Sequence, residues 1–79
     1  MAQIPYANSN GVLTAQVDIP HACNVFLVNS NNYRRYSSGQ NYEYFGGHYD
    51  RTPVTITVEG AGRWYLIVEC NGRYQYNFY

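Results

Sequence analysis

The stretch VTITVEGAGRWYLIVE, residues 54–69, decides the fold. Val54, Ile56 and Val58 alternate with Thr55 and Thr57; farther on, Trp64, Leu66 and Val68 alternate with Tyr65, Ile67 and Glu69. A period of two sends successive side chains to opposite faces of a pleated strand, so each half reads as a strand with one buried face. Between the halves, EGAG supplies two glycines, and the reading is two strands separated by a break.

Outward from that stretch the same period recurs. In GVLTAQVDIP, residues 11–20, Leu13, Ala15, Val17 and Ile19 oppose Thr14, Gln16 and Asp18. CNVFLVN, residues 23–29, is apolar throughout its centre, as a strand covered on both sides would be. RYQYNFY, residues 73–79, alternates Tyr74, Tyr76 and Phe78 with Arg73, Gln75 and Asn77. NSNG, DIPHA, EGAG and CNG carry the residues that turns demand. No helical period is sustained anywhere. The expectation is an all-β domain, a small β-sandwich of about seven short strands, with barrel closure as its close relative. Its predicted core is Leu13, Val17, Val25, Leu27, Ile56, Val58, Trp64, Leu66 and Val68. One segment departs from this. SNNYRRYSSG, residues 30–39, spaces Tyr33 and Tyr36 by three between a capping Ser30 and Gly39, which predicts one helical turn in a loop.

Composition narrows the function. Seventy-nine residues make a single domain, 1–79. A chain this short buries only about 60–65% of its unfolded surface, so a homo-oligomer is expected, a symmetric dimer through the C-terminal strand. A formal net charge of zero removes the basic footprint of a general nucleic-acid binder. No apolar run approaches a membrane span. The opening residues show neither a basic n-region nor an apolar h-region, so a cytoplasmic setting is expected, with Cys23 and Cys70 reduced and buried. Cys23, Cys70, His21 and His48 lack close ligand-pair spacing, and no metal or cofactor is expected. All five basic residues are arginine, set among ten tyrosines. Guanidinium forks and amphipathic rings suit recognition of anions and flat rings.

Several motifs, taken together, resemble a family. NVFL (24–27), NYRRYSSG (32–39), YFGG (44–47), RTP (51–53) and GRWYLIVE (62–69) are similar, in order and spacing, to the small bacterial family catalogued as domain of unknown function 1883. The resemblance implies an all-β sandwich, and some members of that family look joined to TIR-type signalling domains in bacterial proteins. It implies no established activity. Family members tend to be basic before the proline, something like Lys-Arg-Ser-Pro. Here Asp50, Arg51, Thr52 and Pro53 stand there, and only Arg51 carries over. The C-terminal strand is also richer in tyrosine than the resemblance implies.

The segment NYEYFGGHYDRTP, residues 41–53, raises the question of a site. Paired glycines can expose backbone N–H groups to an anion, or mark a bend where a neighbouring strand comes close; the bend is the reading adopted for Gly46 and Gly47. No nucleophile-elbow motif occurs, and His48 with Asp50 lacks a third partner, so no catalytic residues are assigned. The candidate ligand-binding residues are Tyr36, His48, Tyr49 and Arg51, with Arg34 and Arg35 as helpers. Rings for stacking and arginines for phosphate suit an anionic, nucleotide-like molecule. TIR substrates and products are nucleotide-like, so the resemblance implies the same class. The expected function is a non-enzymatic binding module in a bacterial cell or infected bacterial host. It would act as a sensor, or as a viral protein sequestering a bacterial immune signal. The alternative is a protein–protein interaction or assembly module using a tyrosine-rich surface and a sheet edge.

Overall fold

Two long strands organise the chain in the computed structural model, which describes residues 4–69 and 73–79. They are β1, Tyr6–Asp18, and β4, Val54–Glu69, paired antiparallel from Tyr6 opposite Tyr65 to Val17 opposite Val54. Between them in sequence come β2, Cys23–Asn29, helix α1, Ser30–Ser37, and β3, Phe45–Tyr49; β5, Gln75–Phe78, follows. The described strands form one antiparallel sheet in the order β3-β2-β4-β1-β5. The fold is therefore all-β, and the described residues form one sheet of five strands. Part of the difference from the expected seven short strands lies in EGAG, which does not end a strand.

At that point Gly11 of β1 sits opposite Gly60 of β4. Their φ angles of 148° and 134° lie in the region that L side chains avoid. A glycine on each strand at one rung bends the ladder without breaking its pairing. Leu13, Ala15 and Val17 then join Val54, Ile56, Val58, Trp64 and Leu66, with Cys23, Val25 and Leu27 of β2, in one buried cluster. With Ile19, these strand residues supply the whole buried cluster, so the sheet must curl to bury them, and extents of 29 × 28 × 22 Å fit that shape. Burying each large aliphatic side chain contributes about 1.5–3 kcal/mol. Every residue of the predicted core belongs here, Val68 as a partly buried neighbour.

Cys23 is buried but disulfide-bonded, which corrects the reduced thiol expected; Cys70 lies outside the described residues. Disulfides persist in oxidising surroundings and are rare in the cytosol, so the cytoplasmic expectation gains no support from the cysteines. Among the described residues, no helix is long and apolar enough to cross a membrane.

Helix α1 is two turns rather than one, and its cap lies one residue earlier than expected. Asn29 Oδ1 accepts from the Asn32 backbone N–H at 2.9 Å. At the other end Gln40 N–H donates to the Arg35 carbonyl at 2.9 Å and Gly39 N–H to that of Tyr36 at 3.4 Å. With Gly39 at φ 78°, this pair of bonds closes the helix and turns the chain back toward the sheet. The helix packs on β2 and β4, on the face opposite the aliphatic cluster.

Candidate functional site

On that outer face, β2 and β4 contribute buried Phe26, Val28 and Ile67, with Tyr65 beside them. Helix α1 lays Tyr33 and Tyr36 over them, and the chain after the helix adds Tyr42. Tyr33 stacks on Tyr65, centroids 4.1 Å apart and planes 12° apart. Phe26 meets Tyr36 at 6.1 Å, Tyr42 at 6.1 Å and Tyr44 at 5.2 Å. Offset and edge contacts of this kind are the arrangements that aromatic quadrupoles favour. Glu43 N–H donates to Asn32 Oδ1 at 3.0 Å, tying the post-helix chain to α1 and holding its two tyrosines in place. Much of the tyrosine surplus is thereby a layer of structure.

The layer leaves a cleft of about 330 Å³ at its β3 side, lined by Asn24, Phe26, Tyr42, Tyr44, Gly47, His48 and Glu69. Sheet register builds its polar wall. His48 of β3 pairs with Asn24 of β2, which in turn pairs with Glu69 of β4, so the three form one rung across three strands. His48 Nδ1 lies 3.0 Å from Asn24 Oδ1. An amide oxygen only accepts, so Nδ1 carries the proton, and in the neutral ring Nε2 is left as an acceptor. Asn24 Nδ2 donates to Glu69 Oε1 at 3.3 Å, and the Tyr36 hydroxyl donates to Glu69 Oε2 at 3.3 Å. Burial first, then the Glu69 charge and its hydrogen bond, push the Tyr36 hydroxyl above the ordinary phenol value. Burial, then Glu69, then Tyr44, push Tyr42 the same way.

Gly46 is what lets β3 close on β2. At φ 139°, a Cβ there would collide with the Val25 carbonyl and the Phe26 backbone. Gly47 has open space around it. The bend with close backbone approach thus belongs to Gly46.

The residues expected to form the site are brought together only in part. His48 lines the cleft and Tyr36 reaches it through Glu69. Tyr49, one step along β3, turns to the other face and packs against the aliphatic cluster, as strand alternation requires. Arg51 is exposed in the bend after β3 and is not among the cleft's lining residues. Arg34 and Arg35 border a separate groove of about 440 Å³ with Asn31, Ser38 and Gln40. Arg63 stands 4.7 Å over the Tyr6 ring. Sequence reasoning passed over Asn24, Phe26, Tyr42, Tyr44 and Glu69 as site residues. The signal for Glu69 was present, because alternation already set it with Tyr65 and Ile67 against Trp64, Leu66 and Val68. Among the described residues, no group of three or more His, Cys, Asp or Glu side chains is placed to hold a metal ion.

The family model described as Domain of unknown function (DUF1883) matches residues 7–77. The chain belongs to that family. No curated protein and no solved structure matches it.

Proposed function

We propose that this domain is a non-enzymatic binding module whose cleft receives the flat ring of a small, nucleoside-type molecule. One observation carries the reading: Phe26, Tyr42 and Tyr44 border the same cleft as the His48–Asn24–Glu69 rung. Aromatic walls supply stacking of about 1–3 kcal/mol per base, and a few convergent polar groups fix orientation. A binding role fits because His48 donates to an amide rather than a carboxylate, and the lining residues include no serine, threonine or cysteine to act as a nucleophile. The cleft itself does not favour an anionic group. No arginine lines the cleft, and the Glu69 carboxylate would repel a phosphate. A nucleotide would therefore enter ring first, with its phosphates outside, in keeping with a sensor or sequestering role.

Nucleosides and nucleotides titrated into labelled protein, followed by NMR, test this. Binding should shift the resonances of Tyr44 and His48, and Tyr44→Ala should weaken it about tenfold or more. Tyr44 is 52% exposed, so the variant keeps its fold. Binding that ignores this substitution would move the site elsewhere.

An interaction module is the second reading, favoured by the aromatics exposed along both edges of the sheet. Tyr44 and Phe45, at 52% and 50% exposure, flank the β3 edge, while Tyr76 and Tyr79, at 43% and 69%, flank the β5 edge. Unpaired strand edges of this kind add a partner strand or a second copy of the chain. Light scattering over a dilution series separates this reading from a monomeric ligand binder.

A further inference from the structure

The rung across β3, β2 and β4 is rich in acceptors. Glu69 Oε1 takes one hydrogen bond from Asn24 and Oε2 one from Tyr36. A carboxylate has about four lone-pair sites, so each oxygen keeps one acceptor site for a ligand. His48, with its proton committed to Asn24, offers Nε2 as a further acceptor. Asn24 has one Nδ2 hydrogen beyond the one given to Glu69. The wall thus shows a two-pronged acceptor, one amide donor beside it and an imidazole acceptor at its end. The aromatic side supplies a surface for a plane to lie on.

Resting on the reading of the cleft as a ring-binding site, we infer that it selects a planar group with two adjacent N–H donors, which Glu69 accepts as a pair. The edge of a guanine base has this form, N1–H next to the exocyclic N2–H. Its neighbouring O6 is an acceptor that suits the Asn24 amide hydrogen. Adenine and cytosine set one donor beside a ring acceptor, and uracil places its single N–H between two carbonyls. Those acceptors would face the carboxylate lone pairs. A guanidinium presents the same paired donors and stacks on tyrosine, so the shared chemistry has two possible sources. Specificity of this sort is strong because an analogue lacking a donor leaves a polar group of the site unpaired.

Calorimetry and NMR titration with guanosine, inosine, adenosine, uridine and methylguanidine decide the matter, using the wild-type chain, Glu69→Gln and Tyr44→Ala. Inosine keeps N1–H and lacks the exocyclic amine. Guanosine should bind about tenfold or more tighter than the other three nucleosides, and Glu69→Gln should erase that preference while leaving weak stacking. Glu69 is exposed, so the substitution is compatible with the fold, and a dispersed spectrum checks it. If all four nucleosides bind alike and all lose affinity in Tyr44→Ala, the paired-donor inference is overturned and the ring-binding reading stands. If methylguanidine alone binds and depends on Glu69, the inference stands with a guanidinium as its source, and the nucleoside reading falls. If no probe shifts Tyr44 or His48, both are overturned.

Discussion

On its inner face the sheet carries Val17, Val25, Leu27, Leu66 and Trp64, side chains that strands deliver by simple alternation. On its outer face it carries Phe26 under Tyr36 and Tyr42, and Tyr65 under Tyr33, side chains that a helix and the chain after it must fold back to deliver. The inner layer is mainly aliphatic around Trp64, shut and without a polar row; the outer is aromatic, part open and bordered by His48, Asn24 and Glu69. On the proposed function, stability and recognition are divided between the two sides of one sheet. A small domain with a marginal core would gain by this division, because the residues proposed to bind are not the ones whose loss empties the main cluster.

The division breaks first if the inner face proves dispensable. Trp64 packs edge-on to Phe45 at 5.7 Å and donates from Nε1 to the Gly60 carbonyl at 3.0 Å, joining the cluster to the bent rung. Trp64→Ala should cost about 3–5 kcal/mol, near the whole stability of so small a domain. Denaturant unfolding would register it as a loss of the cooperative transition. A well-folded variant would mean that the inner cluster does not hold the sheet together.

Next in size is the seam where the faces meet. Gly46→Ala forces a Cβ into the β2 backbone at a φ that alanine resists, and should cost about 2–4 kcal/mol. Gly47→Ala, with open space around it, is the control and should cost well under half as much. Equal losses from the two would remove the close-approach argument. This seam also marks the limit of what the sequence shows. Period-2 alternation states which residues of a strand share a face, so the inner cluster was legible down to Leu13 and Val68. It does not state whether EGAG turns the chain or merely bends it, because a glycine at positive φ serves both. Nor does it reveal that Tyr36, Tyr42 and Tyr44 converge on Phe26 while Tyr33 stacks on Tyr65, since that depends on where α1 docks. His48 and Tyr49 are neighbours in sequence, but on a strand adjacent residues face apart. Asn24 and Glu69 went unassigned because a cross-strand rung joins residues far apart in the chain.

A smaller effect tests whether the outer layer is frame or core. Tyr33 has one face on Tyr65 and is half-buried, so Tyr33→Ala should cost about 1–2 kcal/mol by urea melts. Tyr33→Phe keeps the stack and should be nearly neutral. A loss matching that of Trp64→Ala would make the outer layer a second full core and remove the contrast between the faces.

The smallest effect reads the polar row directly. Tyr36 and Tyr42 are acids raised above the phenol value of 10.0, by burial first and by Glu69 next. The folded protein therefore holds these protons more tightly than the unfolded chain. Below the unfolded value both states are protonated and the full stability is present. Above it the unfolded chain ionises first, so stability falls as pH rises through the folded values. Urea midpoints measured from neutral into alkaline pH should be flat, then decline. Glu69→Gln removes the second cause but not the first, so the decline should become shallower without vanishing. Tyr74 provides the internal control. Burial and then Tyr76 raise it, with no contribution from Glu69, so its share of the alkaline loss should survive the substitution. An alkaline profile identical in wild type and Glu69→Gln would show that the carboxylate is not felt at Tyr36, and the row that defines the cleft would lose its anchor.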